Sequence, residues 1–136
     1  MNSGVLSALN VHHIIVDKLS FDRKGFKNEA NKDIDFQIGV SINKLQDSNY
    51  QVAVRVTAEK RDEYVAEVQM TAYCEISEEC QGKDTLLRKN AVAILFPYIR
   101  SQLTLLTSQP EIEPIVLPTL DINRLIDSAE KKDNND

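Results

Sequence analysis

Three stretches of the chain alternate between apolar and polar residues with period two. In the first, residues 33–45, Ile34, Phe36, Ile38, Val40 and Ile42 oppose Asp33, Asp35, Gln37, Gly39, Ser41 and Asn43. In the second, 50–59, Tyr50, Val52, Val54, Val56 and Ala58 oppose Gln51, Ala53, Arg55, Thr57 and Glu59. In the third, 64–76, Ala66, Val68, Met70, Ala72, Cys74 and Ile76 oppose Glu67, Gln69, Thr71 and Glu75. Strict alternation marks a strand with one face on a core and the other in water. The short links Gln46-Asp47-Ser48-Asn49 and Lys60-Arg61-Asp62-Glu63 predict hairpins, hence an antiparallel sheet.

A fourth strand is predicted within residues 9–21, on a less regular pattern in which Ile14-Ile15-Val16 marks a bulge. The polar segment 22–32, with Gly25 and Asn28, is too long for a tight turn. It predicts a crossover to a non-adjacent position, as in a Greek key.

Beyond Gly82 the period changes. Asp84 or Thr85 is placed to cap a helix running to about Ser108. One apolar stripe holds Leu87, Ala91, Ile94, Tyr98 and Leu105. The other holds Val92, Phe96, Ile99, Leu103 and Leu106, with Leu95 between them. At 100° per residue the two stripes span roughly 200°, whereas a helix on one sheet needs only about 100°. The excess predicts burial on two sides, the second against another copy of the chain. Pro97 predicts a kink or a new helical segment. Residues 108–120 carry Pro110, Pro114 and Pro118 among apolar Ile112, Ile115, Val116, Leu117 and Leu120, which predicts a long apolar loop. Thr119 or Asp121 then caps a short second helix with Ile122, Leu125, Ile126 and Ala129 on one stripe. The fold class is α+β: a four-stranded antiparallel Greek-key sheet packed on a long kinked helix, with a Pro-rich loop and a short second helix.

Length adds that residues 1–136 form a single domain, with 1–8 and 130–136 as flexible ends. The 21 acidic and 16 basic residues leave a net charge of −5, which argues against binding nucleic acid through its phosphates. The longest apolar run, Ala91–Phe96, is far short of a membrane span of about 20 residues. The first 16 residues contain no Lys or Arg and lack the layout of a secretory signal, so a cytoplasmic location is expected. Cys74 and Cys80 fit that compartment as free thiols, although a single bridge stays open.

Little here is catalytic. No phosphate-cradling glycine motif occurs, and no HExxH, CxxC or nucleophile elbow. His12 and His13 are adjacent, so a regular strand points them to opposite faces and they cannot share a metal. Glu75, Glu78 and Glu79 read as a solvated acidic turn. No cofactor, metal or catalytic residue is expected. A serine-nucleophile site stays open, as does a small-ligand carrier whose sheet wraps a long helix. A binding protein with an apolar groove fits better, although the same apolar loop residues would equally close the core.

The segment Asn90-Ala91-Val92-Ala93-Ile94-Leu95-Phe96-Pro97-Tyr98-Ile99-Arg100 resembles the ILFPYAR helix of the SecB export chaperones. Leu117-Pro118-Thr119-Leu120-Asp121-Ile122-Asn123-Arg124-Leu125 is similar to that family's LAPVNFDAL segment. Residues 50–57 and the alternating run from Glu67 resemble its third and fourth strands. Residues 14–21, continued by Asp22, resemble its first.

The resemblance implies a homo-oligomer, a tetramer built as a dimer of dimers, with Val92, Phe96, Ile99, Leu103 and Leu106 at the interface between copies. It implies an ATP-independent holdase that keeps unfolded client polypeptides translocation-competent for the Sec export pathway. Its client groove would draw on Phe26, Ile112, Ile115, Leu117, Leu120, Ile122, Leu125 and Ile126. Its SecA-docking patch would use Asp22, Val65 and Glu67. Lys18 stands where the family has a further acid, and a cation there weakens attraction to a basic partner. That departure motivates an alternative within the family: a specialised chaperone of one partner, such as an antitoxin, without SecA coupling.

Overall fold

The computed structural model describes residues 9–117. Four strands, β1 (Leu9–Arg23), β2 (Ile34–Lys44), β3 (Asn49–Lys60) and β4 (Tyr64–Ile76), precede one helix, α1 (Lys83–Thr107). The sheet is antiparallel throughout, in the order β1-β4-β3-β2. Hairpins join β2, β3 and β4, and the crossover carries the chain from β1 across to β2 while β1 pairs with β4, so the predicted Greek key forms. The expected second helix lies outside the described residues.

The alternating residues of β3 and β4 face α1. Val52, Val54, Ala58, Ala66, Val68, Ala72 and Ile76 have no exposed surface. The β2 residues of the same phase, Ile34, Ile38, Val40 and Ile42, are only half-buried, because β2 is an edge strand away from the helix.

The irregular pattern of β1 has a geometric cause. Its apolar residues, Leu9, Val11, Ile14, Val16, Leu19 and Phe21, are spaced by two, three, two, three and two. The pairing with β4 slips between Val11 and His13 and again between Val16 and Lys18. Each slip is a bulge that absorbs one residue, so all six stay in phase with inward residues of β4. The bulges sit at His12 and Asp17, on either side of Ile14-Ile15-Val16 rather than within it.

The start of α1 departs from expectation. Gly82 is the N-cap, in a left-handed conformation with φ of 69°, and no side chain caps the helix. Asp84 instead pairs with Arg88 one turn on, at 3.2 Å. Pro97 neither ends the helix nor starts a new one; α1 is assigned continuously over 25 residues. Pro97 and Ala93, whose carbonyl would have accepted the missing N–H, both lie on the exposed side, where water can serve that oxygen.

After α1 the chain runs without regular structure through residues 108–117 and folds back on the helix. The Thr104 hydroxyl donates to the Ile115 carbonyl at 2.7 Å, and the Ile115 N–H donates to the Thr107 hydroxyl at 2.8 Å. The Arg23 guanidinium, at the end of β1, donates to the carbonyls of Pro110 and Glu111 at 3.0 and 3.1 Å.

Candidate functional site

Phe26 is the most exposed large apolar residue among those described, at 87%. It sits in the crossover between β1 and β2, directly after Gly25, whose φ of 98° turns the chain in a way other residues resist. The crossover is fastened from beneath. Glu63, in the β3–β4 turn, is 2% exposed. Its carboxylate accepts the Glu29 N–H at 3.1 Å and pairs with Lys60 at 3.2 Å and Lys32 at 3.6 Å. The Lys60 ammonium donates onward to the Asn28 side-chain oxygen at 2.7 Å, and the Lys24 N–H donates to the Glu63 carbonyl at 2.8 Å. Burial alone would raise the Glu63 pKa. The hydrogen bond with Lys60, the Glu29 N–H and the charges of Lys60 and Lys32 outweigh it and hold the pKa below the usual carboxylate value.

The other expected groove residues divide. Ile112, Ile115 and Leu117 are buried at 8%, 6% and 7% and join the core, so in one chain they close the interior rather than line an open groove. The reason is the fold-back of the loop onto α1 through Thr104 and Thr107. Between them Val116 points outward, 70% exposed. Leu120, Ile122, Leu125 and Ile126 lie outside the described residues.

On the sheet face away from α1, Asp22 pairs with Val65 and Ser20 with Glu67, so Asp22, Val65 and Glu67 are neighbours on one surface. That surface is not a bare anionic patch. Glu67 lies 3.4 Å from the Lys18 ammonium and 3.9 Å from Arg55 Nε. The bulges also bring both residues of each doublet to this face. Asp17 accepts the Thr71 hydroxyl hydrogen while Lys18 reaches Glu67. His12 pairs with Glu75 at 3.6 Å, and His12 and His13 both line a shallow pocket of about 280 Å³ with Tyr73 and Leu45. The expectation that the two histidines point to opposite faces fails because a bulge, not a regular strand, holds them. Among the described residues no group of three or more His, Cys, Asp or Glu side chains is placed to hold a metal ion. Glu78, from the acidic turn, is engaged by Lys44 at 3.2 Å and Lys83 at 2.8 Å.

The helix stripe expected between copies is instead covered within one chain. Val92, Phe96, Ile99 and Leu103, expected between copies, are 0–5% exposed inside a single chain, and Leu106 is half-buried against the same core. They form the stripe that meets the sheet. Of the other stripe, Leu87 and Ala91 are buried too, and the free face is its later part, where Tyr98 is 52% and Leu105 63% exposed. Periodicity shows that a helix has two apolar stripes; it does not say which one the chain's own sheet covers. The edge strand β1 adds Ile15, Val16 and Leu19, each more than 40% exposed.

In the sequence Lys60 and Glu63 stand out only as hairpin residues. A signal for Lys60 was available: it continues the inward phase of Tyr50, Val52, Val54, Val56 and Ala58, and it is 6% exposed. Glu63 had none, because its burial depends on the crossover packing over it. The cysteines are free, Cys74 buried and Cys80 half-buried, and burial pushes the Cys74 thiol up to about 11. No helix among the described residues is long and apolar enough to cross a membrane.

The fold matches that of a SecB-like chaperone of Mycobacterium tuberculosis, Rv1957, solved in complex with a ChAD peptide from the HigA1 antitoxin. The TM-score is 0.71 at 14% identity, covering 88% of this chain and 92% of that one. An uncharacterised protein of Methanocaldococcus jannaschii, MJ0357, is 26% identical over 135 residues, covering 91% of this chain and 86% of the relative. The family profile described as preprotein translocase subunit SecB matches residues 3–133, nearly the whole sequence, and the chain therefore belongs to the SecB family of chaperones.

Proposed function

We propose that this protein is an ATP-independent holdase that binds unfolded or non-native polypeptides and keeps them from folding or aggregating. The observation that carries the reading is Phe26, an aromatic ring 87% exposed on a crossover held by buried ion pairs. A ligand of the unfolded chain draws the folding equilibrium away from the native state without a nucleotide. Several weak apolar contacts along one wrapped client multiply through effective concentration. Leu120, Ile122, Leu125 and Ile126 would extend the client surface beyond Phe26. Copies of the chain would assemble, as a tetramer built from dimers, through the Tyr98–Leu105 face of α1 and the apolar margin of β1. The place of action is the cytoplasm, with no catalytic step, cofactor, nucleic acid or membrane insertion involved. The test is spontaneous refolding of a slow-folding client with excess protein and no ATP. Slowed refolding and reduced light scattering support the reading; an unchanged time course at every ratio rejects it.

Two hand-over routes follow. In the first, clients pass to SecA for export, docking on Asp22, Val65 and Glu67. The second is a guard of one partner, such as an antitoxin, with no SecA step. The ion pairs from Lys18 and Arg55 onto Glu67 favour the second, because they offset the charge a basic partner would seek. The fold neighbour from Mycobacterium tuberculosis, bound to an antitoxin peptide, is consistent with it. SecA affinity of the wild type and of Lys18→Glu separates the routes. Tight binding by the wild type rejects the guard reading; weak binding that rises in Lys18→Glu supports it.

A further inference from the structure

We infer that the Glu63–Lys60–Asn28 chain, buried at Glu63 and Lys60, is a positioning device that presents Phe26 to the client in a preformed geometry. This rests on the holdase reading and names what sets its affinity. The crossover has no regular structure across residues 24–33, and its residues are almost all exposed. Such a segment is ordinarily mobile, and an anchor carried on it would lose conformational freedom at each binding event. Here four links hold it from below, none of them from the crossover's own apolar packing; the first is the Lys24 N–H on the Glu63 carbonyl at 2.8 Å. The Glu29 N–H is fixed to the Glu63 carboxylate at 3.1 Å. The Asn28 amide oxygen is fixed to the Lys60 ammonium at 2.7 Å. Lys32 lies 3.6 Å from the second Glu63 oxygen, which has no hydrogen-bond partner among the described residues.

Placing this network in a hairpin turn is expensive unless it does something. Lys60 and Glu63 are 6% and 2% exposed, and taking charges from water is offset only by good pairing. An apolar turn would bury more simply. What the charges supply is direction: they bind two successive residues, Asn28 through its side-chain oxygen and Glu29 through its backbone N–H, at fixed points on the sheet. With the left-handed Gly25 on its other side, Phe26 is held between two fixed turns while its ring meets no core. Phe26 is the anchor; Glu63, Lys60 and Asn28 act through it.

The test is a double-mutant cycle on the full chain with a permanently unfolded, reduced and carboxymethylated polypeptide as probe. Glu63→Gln would leave two ammonium groups facing a neutral amide and risks unfolding, so the exposed Asn28→Ala carries the comparison. Phe26→Ser should weaken probe binding about tenfold by removing the anchor. Asn28→Ala should weaken it about threefold with an unchanged melting temperature, and should raise amide exchange across residues 24–33. In the Phe26→Ser background Asn28→Ala should have no further effect, because nothing is left to position. Equal weakening by Asn28→Ala in both backgrounds, or none in either, overturns the inference. A wild type that binds the probe while Phe26→Ser binds equally well also overturns it, yet leaves the holdase reading standing. A wild type that does not bind the probe removes both, whatever amide exchange shows for the crossover.

Discussion

The guanidinium of Arg23, the last residue of β1, donates to the carbonyl of Pro110 at 3.0 Å and to that of Glu111 at 3.1 Å. The contact ties the strand that leads into the crossover to the turn that follows the helix. Glu111 itself adopts a left-handed φ of 65°, so the turn is held in a conformation it would not favour alone. Arg23→Ala should loosen residues 108–117, seen as faster amide exchange there and earlier proteolysis, at a cost of about 1 kcal/mol in global stability. Exchange unchanged at Ile112 and Ile115 would show that the helix hydroxyls suffice.

The burial of α1 gives opposite outcomes for two neighbouring leucines. Leu103 has no exposed surface and Leu105 is 63% exposed. Leu103→Asp should unfold the subunit, since it removes a core leucine and buries an unpaired carboxylate, a loss of about 3–5 kcal/mol. Leu105→Asp should leave the circular dichroism spectrum intact and lower the mass seen by light scattering. A folded Leu103→Asp, or a Leu105→Asp of wild-type mass, contradicts the assignment of the faces.

The second bulge of β1 makes a deletion worse than a substitution. Asp17→Ser keeps the residue count and a hydroxyl near Thr71, so it should cost about 1 kcal/mol. Deleting Asp17 moves every residue before it by one position, which turns Leu9, Val11, Ile14 and Val16 to the outer face. Thermal melting of the two variants checks the contrast; similar melting temperatures would mean that the bulge does not set the phase.

Acid should release the crossover before it melts the sheet. The Glu63 carboxyl is held below its ordinary value of 4.5, with burial opposing and Lys60 and the Glu29 N–H prevailing. A carboxylate with a depressed folded-state pKa stabilises above its unfolded value and loses that contribution as pH falls through the folded one. Glu78, lowered by hydrogen bonds from Lys83 and Lys44, has the same sign. As pH falls below the ordinary carboxylate value and through the lower folded one, amide exchange at residues 24–33, corrected for intrinsic rate, should rise. In Glu63→Gln, if it folds, that pH dependence should be absent. A wild-type crossover equally protected at pH 3 and pH 7 would count against the carboxylate as its clasp.

Thiol labelling should separate the cysteines. Cys74 is 1% exposed with its pKa raised to about 11, so it holds its proton and is shielded. Under native conditions at neutral pH a maleimide should modify Cys80 first and Cys74 only with global opening. Equal labelling rates would mean that β4 opens locally.

Much of this fold was legible because period two and period 3.6 are local properties. Val52, Val54 and Val56 declare their face within five residues, and the turns around Asp47 and Asp62 supply the left-handed positions that hairpins need. The site was less legible because it is made of relations between distant residues. Glu63 is buried only because Glu29 and Asn28 come from the other side of β2 to cover it. The two stripes of α1 look alike in composition, and only the docking of the helix on the sheet makes Phe96 interior and Tyr98 exterior. Ile112, Ile115 and Leu117 could line a groove or fill the core with the same sequence. Two hydroxyls, Thr104 and Thr107, bring the loop home. Phe26 could be singled out from the resemblance, whereas the means of holding it needed coordinates.

The doublets in β1 have a consequence for the population of molecules as well as for one chain. A long, flat outer strand invites partner after partner to add along its rim, and such growth has no natural end. Two interruptions in fifteen residues break the rim's hydrogen-bonding repeat. A neighbour can match only a short stretch before its spacing fails, which favours closed assemblies of fixed size over fibrils. For a holdase as proposed, working among sticky, half-made polypeptides, an edge that cannot template an endless ribbon would be a safeguard against becoming part of the aggregate.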